Sequence, residues 1–421
     1  MNKQTVLFVI TILLLSGMVH AAADAILIKN GTIVAVVGKT IVNGSVLIQN
    51  GKIAEVGAVI DAPANATIID AKGMYVYPGM VAPLTAIGLT GYPGSDSDIN
   101  EVGQSTPWID PYEALNPEDE TIDVTRIDGV TTALSAAGTA GIINGRAMAL
   151  NLDGTLPRDM LLKRDVLLIF NMGARSKSGY PKTQPGILSF IREKLSKAKA
   201  AAAPKKKGKK NEAPGKDMEM EVLLKVVKRE MPVMFMTSNE VTIRLALELI
   251  EEFNLKGILF ANGDILKYAE RLAEKNIPLI WAGTMKMPER WEAIDKYYRT
   301  AAVLAQKGVL FAFSESSRQG SRNVRRQPVP ASLSVAFGLS EEDAVKALTI
   351  NAAKILGIAD QVGSLEKGKI ANIFISTKPI IQLSARIRMV MINGRIIPLT
   401  SVQTMLYDKY KKIVQDRIKK E

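Results

Sequence analysis

Apolar and polar residues alternate through residues 25–69, and the alternation is interrupted at Asn30-Gly31, Asn43-Gly44 and Asn50-Gly51. A period of two punctuated by Asn-Gly predicts an antiparallel sheet with tight turns. The pattern returns in residues 370–375 and in residues 389–392 ahead of Asn393-Gly394. Between these ends the periodicity changes. Short apolar runs at 75–81, 130–135, 166–170, 232–236, 257–261, 278–281 and 309–313 read as strands. Segments 240–253, 265–275 and 289–307 carry apolar residues three and four apart, the helical period. Ser340 stands where an N-cap would, ahead of a helix running to Leu356 with Gly357 as its stop. Strands alternating with helices predict a parallel sheet with crossovers. The expected fold is α/β: a (β/α)8 TIM barrel over 78–361, with a small composite β-sandwich domain from 22–77 and 362–400. No G-x-G-x-x-G joins a strand to a helix, so a Rossmann fold is disfavoured.

Composition narrows the chemistry. The 421 residues contain no cysteine and one histidine, His20. Disulfides, thiolate sites and cysteine nucleophiles are thereby excluded, along with most histidine-based catalysis. The first 21 residues read as a secretory signal: Lys3, an apolar run over 6–15, and small residues around a cleavage point after Ala21. Removal of that segment would take His20 with it. The expected location is periplasmic or secreted. The formal charge of +12 is also localised. Residues 194–216 hold nine lysines against the single acid Glu212, and residues 407–421 hold six basic residues against three acidic ones. The first segment, rich in Lys, Ala, Pro and Gly, is expected to be a flexible loop or a fraying helix end. The stretch 401–421 reads as a basic C-terminal tail, and the remainder is formally neutral once the signal is gone.

Several stretches resemble the amidohydrolase superfamily, closest to its imidazolonepropionase-like branch. They are Tyr77-Pro78-Gly79-Met80-Val81-Ala82, Asp128-Gly129-Val130-Thr131-Thr132, Ala336-Phe337-Gly338-Leu339-Ser340, Ile350-Asn351-Ala352-Ala353-Lys354-Ile355-Leu356-Gly357, and Val362-Gly363-Ser364-Leu365-Glu366-Lys367-Gly368-Lys369-Ile370-Ala371-Asn372. The resemblance implies a barrel whose C-terminal mouth holds one or two metal ions and hydrolyses carbon–nitrogen bonds other than peptide bonds. It also implies where the ligands should fall, and there this chain departs. The first-strand aspartate and two histidines fall on Ala82, Leu84 and Ala86. The fifth-strand histidine falls on Met236, the sixth-strand histidine near Asn262, and the eighth-strand aspartate appears as Glu315. Leucine, alanine and methionine offer no hard lone pair, and one carboxylate cannot hold zinc alone.

The expectation is therefore an exported amidohydrolase-family protein that has lost its metal centre, with no metal ligands, no catalytic residues and no cofactor. Its partners would be an active amidohydrolase relative or a second copy of the chain, with a small-molecule or peptide ligand. Two other classes stay open. One is an active hydrolase with an atypical site around Glu315. The other is a scaffold or membrane-surface protein making weak anionic contacts through its lysines. Nucleic acid is not an expected partner, because no aromatics interleave the lysines. Arg318, Arg322, Arg325 and Arg326 form a candidate anion-binding group, with surface charge as the plain alternative.

Overall fold

The computed structural model describes residues 25–90, 99, 101, 103–136, 138–174, 179–204, 217–315 and 323–418. The expected signal segment, the lysine-rich core at 205–216, and Arg318 and Arg322 lie outside the described residues.

Five strands open the described chain: β1 (Ala25–Ile33), β2 (Ile41–Gln49), β3 (Lys52–Gly57), β4 (Thr67–Asp70) and β5 (Tyr75–Pro78). Eight more build the second sheet: β6 (Met80–Thr85), β7 (Val130–Ala136), β8 (Ile143–Asn151), β9 (Leu161–Asn171), β10 (Val233–Thr237), β11 (Gly257–Ala261), β12 (Leu279–Trp281) and β13 (Phe311–Phe313). Three return at the end: β14 (Ile373–Ser376), β15 (Ile387–Ile392) and β16 (Arg395–Ile397). The strands from both ends share one hydrogen-bonded sheet in the order β16-β15-β14-β5-β1-β2-β3, with β4 alongside β1.

The four Asn-Gly pairs of this sheet divide into two kinds. Asn50-Gly51 and Asn393-Gly394 take positive φ at both residues and close the two-residue β2–β3 and β15–β16 hairpins. Gly31 and Gly44 instead lie inside β1 and β2 and face each other across register shifts. These pairs are therefore bulges and not the turns expected, because the strands continue through them.

The second sheet runs from β6 to β13 in sequence order, a nearly closed eight-stranded barrel. It differs from an all-parallel barrel at one strand: β8 pairs antiparallel with both β7 and β9. The connections at 137–142 and 152–160 explain this, since parallel neighbours need a crossover of about a dozen residues or more. Two apolar layers flank this sheet. Val81, Leu134, Leu167, Ile169, Met234 and Ile280 belong to one cluster with the helix Ile350–Leu356. Phe170, Phe235, Trp281, Phe311 and Phe313 belong to another with the surrounding helices. Alternation along each strand assigns successive residues to opposite faces.

The two sheets meet at Gly79, between β5 and β6. Its N–H donates to the Asn372 carbonyl at 2.8 Å. A Cβ on Gly79 would lie 1.9 Å from the Thr131 Oγ1, so no larger residue fits this crossing. Buried amides reinforce the junction: Asn372 Nδ2 donates to Asn151 Oδ1 at 2.7 Å and to Thr132 Oγ1 at 3.2 Å. The Asn393 N–H returns to Asn372 Oδ1 at 3.0 Å.

Ser340 caps a helix, accepting the Asp343 N–H at 3.0 Å, but the helix Glu341–Leu348 breaks at Thr349 before Ile350–Leu356 resumes. Gly357 ends it at φ 65°. Residues 184–202 form a helix, so the lysine-rich segment expected to be flexible is helical over 194–202. Ile187, Ile191, Leu195 and Ala198 recur on one buried face and hold it. No described helix is long and apolar enough to cross a membrane.

Candidate functional site at the barrel mouth

Counted from β6, the barrel strands run in the order used to place the family positions: β10 is the fifth strand, β11 the sixth and β13 the eighth. Each candidate residue can therefore be located. Ala82 is buried in the cluster shared with the outer helices. A register shift between Ala82 and Thr85 in the β6–β7 pairing separates it from Leu84, which packs against the other cluster together with Met236. Two of the positions where the resemblance implied imidazoles, Leu84 and Met236, thus carry hydrocarbon and thioether packed on hydrocarbon. Ala86 follows the end of β6, and its carbonyl accepts the Leu89 N–H at 3.0 Å.

Asn262 and Glu315 come together. They line a cavity of about 310 Å3 with Thr284, Lys286, Ser314 and Pro330, contributed by the segments after β11, β12 and β13 and by the helix Pro328–Ala336. The ends of successive barrel strands are where TIM-barrel active sites are built. Among the described residues no hydrogen bond engages the Asn262 amide or the Glu315 carboxylate. Burial pushes the Glu315 carboxyl above its ordinary range, and the Arg326 charge offsets part of that. Lys286 lies with its ammonium 5.0 Å from the Tyr297 ring centroid, which fixes one wall of the cavity. Thr284 is held from below: its Oγ1 accepts Trp281 Nε1 at 2.8 Å.

The other nearby acid is committed elsewhere. Asp264 pairs with Lys296, which also binds Glu292 at 2.5 Å, and the Lys296 hydrogen bond holds the Glu292 carboxyl down at about 2. Among the described residues no three Asp, Glu or His side chains are grouped so as to hold a metal ion.

The arginines separate. Arg325 donates to Gln403 Oε1 at 2.6 Å, while Arg326 is exposed and acts electrostatically on Glu315. Sequence reasoning missed Thr284, Lys286 and Pro330. The first two sit just past the seventh strand, where a β-strand end signals a site, but neither residue type is distinctive. Gln327 was missed too. It is 1% exposed and donates to the Val81 carbonyl at 2.9 Å and to the Phe313 carbonyl at 3.4 Å.

A second cavity, of about 610 Å3, lies between β1, β5 and the helix Glu341–Leu348, with Tyr75, Tyr77, Lys39 and Glu341 among its walls. Burial pushes the Tyr77 hydroxyl up to about 12.

An eight-stranded barrel with a mouth assembled from its last three strands, joined to a sheet from both chain ends, defines the class of protein. Residues 292–397 match the model of the Amidohydrolase family. An amidohydrolase from Thermotoga maritima superposes with a TM-score of 0.77 at 27% identity, over 89% of this chain and 99% of that one. The amidohydrolase tasK of Hapsidospora irregularis is 34% identical over 110 residues, 25% of this chain and 11% of that protein. The 5'-deoxyadenosine deaminase of Methanobrevibacter smithii is 38% identical over 91 residues, 22% of this chain and 21% of the deaminase. The chain thus spans between about a tenth and a fifth of the length of these curated relatives.

Proposed function

We propose that this chain is an exported, non-catalytic binding protein on the amidohydrolase fold, working as a partner subunit beside an active relative or as a homo-oligomer. The observation that carries the reading is the mouth itself. An open cavity joins Asn262, Ser314, Glu315 and Lys286, while the positions for metal ligands carry Leu84, Ala86 and Met236. The residues present do not fit a resident metal. One amide, one carboxylate and a thioether are a poor donor set for zinc, and magnesium or calcium would need several converging acids. The unengaged amide and carboxyl suit a small polar ligand that both donates and accepts hydrogen bonds, with the Lys286 ammonium available to an acceptor. Export rests on the sequence of residues 1–21 alone.

The test has two arms. Protein purified in the presence of zinc should carry less than about a tenth of an equivalent of metal by elemental analysis, where an intact zinc site would fill. A panel of amides, lactams and amino-purines should give no turnover but should include molecules that raise Tm. Stoichiometric zinc or manganese would overturn the reading. A second reading, a metal-independent hydrolase using Glu315, draws support from the raised carboxyl, since a poised acid suits proton transfer. It requires turnover that survives chelator and disappears in Glu315→Gln.

A further inference from the structure

The last described helix, Val402–Ile418, buries none of its side chains. Its large apolar residues are nonetheless ordered around the axis. At about 100° per residue, Leu406, Tyr407, Tyr410, Ile413, Val414 and Ile418 fall within an arc of about 140°, interrupted by Gln403 in the first turn and Arg417 in the last. Their exposures run from 41% at Ile413 to 67% at Ile418, so nothing among the described residues covers that face. An uncovered apolar stripe of this size on a 17-residue helix with no buried side chain is unfavourable twice over. It leaves hydrocarbon in water, and helices of this length are marginal without a packed face.

The charges say what would cover it. Lys411 and Lys409 fall on opposite borders of the apolar arc, and Lys412 lies on the polar side between them. Each border lysine leans over a tyrosine of the stripe: Lys411 Nζ is 5.6 Å from the Tyr407 ring centroid and Lys409 Nζ is 5.9 Å from that of Tyr410. An apolar face edged by lysines that lean over its tyrosines is the arrangement of a helix lying in a lipid interface. Its hydrocarbon enters the acyl boundary and its cations meet anionic headgroups. A second copy of the helix would instead bring like charges to both borders of a shared seam. Gln403, which breaks the arc in the first turn, is tied to Arg325 at 2.6 Å, so the helix is anchored to the barrel at that end.

We propose that helix 402–418 is a membrane-surface contact that docks the protein on anionic bilayers, independently of the ligand reading of the barrel mouth. The test uses the full chain in cosedimentation with vesicles of phosphatidylcholine alone or of phosphatidylcholine with about one quarter phosphatidylglycerol. Binding is expected to the anionic vesicles and to fall with added salt. Leu406→Asp with Ile413→Asp should abolish it, and Lys409→Gln with Lys411→Gln should lower the partition coefficient about tenfold or more. Because these side chains are exposed, both double variants should keep the parent Tm, which separates lost docking from lost folding. Binding that survives Leu406→Asp with Ile413→Asp overturns the proposal, and so does the absence of binding to anionic vesicles. A concentration-dependent dimer that the same pair dissociates, with no vesicle binding, overturns it in favour of self-association.

Discussion

The Gln327 side-chain amide donates to the main-chain carbonyl of Val81 at 2.9 Å, and so ties the last barrel connection to the first barrel strand. The same nitrogen reaches the Phe313 carbonyl at 3.4 Å. β6 and β13 stand at opposite ends of the hydrogen-bonded strand order, so one glutamine laces a seam the backbone leaves open. Replacing it with methionine keeps the volume and removes the donor. Two buried carbonyls then lose their partner, and an unpaired buried acceptor costs about 1–3 kcal/mol. Gln327→Met should lower the unfolding free energy by that amount, read as a lower urea midpoint with an unchanged m-value. A loss under about 0.5 kcal/mol would mean that the seam is held by packing alone.

The contact between Asn151 and Asn372, 2.7 Å long, couples the barrel to the terminal sheet. Asn372 spends both halves of its amide: Nδ2 on Asn151 and Thr132, Oδ1 on the Asn393 N–H. The network is buried and each of these polar atoms has a partner, so removing one member strands the others. Asn372→Ala should cost about 2–4 kcal/mol. In a cycle with Asn151→Ala, the double variant should lose less than the sum of the singles, with a coupling of about 1–2 kcal/mol. Strict additivity in chemical denaturation would remove the network from the account of how the two sheets are joined.

Much of this architecture is legible in the chain because it rests on periodicity. The runs at 232–236, 257–261 and 309–313 become β10, β11 and β13 nearly residue for residue, and this places Met236, Asn262 and Glu315. The sharing of one sheet by both termini is visible in alternation and Asn-Gly pairs. What the pattern hides is pairing direction and through-space partnership. An apolar run such as Val166–Phe170 looks alike whether its neighbour is parallel or antiparallel, so β8 is invisible as the reversed strand. Residues 75–81 read as a single strand, but the chain changes sheets at Gly79, and only the proximity of Thr131 reveals why. Gln327 follows two arginines in the sequence and looks like surface. Its burial depends on two strands more than 200 positions apart. The helix Val402–Ile418 carries its polarity in charges that composition reads simply as a basic tail.

Glu315 gives a prediction whose sign is set by burial. The pocket raises its carboxyl above the ordinary value of 4.5, with Arg326 opposing only part of the shift. The folded state therefore holds this proton more tightly than the unfolded chain does. Its stability contribution is complete below pH about 4 and is lost as pH rises through the folded-state pKa. At neutral pH the folded protein bears a partly desolvated charge that glutamine would not. Glu315→Gln should consequently raise Tm at pH 7, and the gain should shrink towards zero as the pH falls to about 4. Paired thermal scans across that range, with the parent as reference, read the difference directly. A gain independent of pH would assign the effect to packing. A loss at pH 7 would mean that the Glu315 charge is compensated in the folded state, contrary to the burial seen at the barrel mouth.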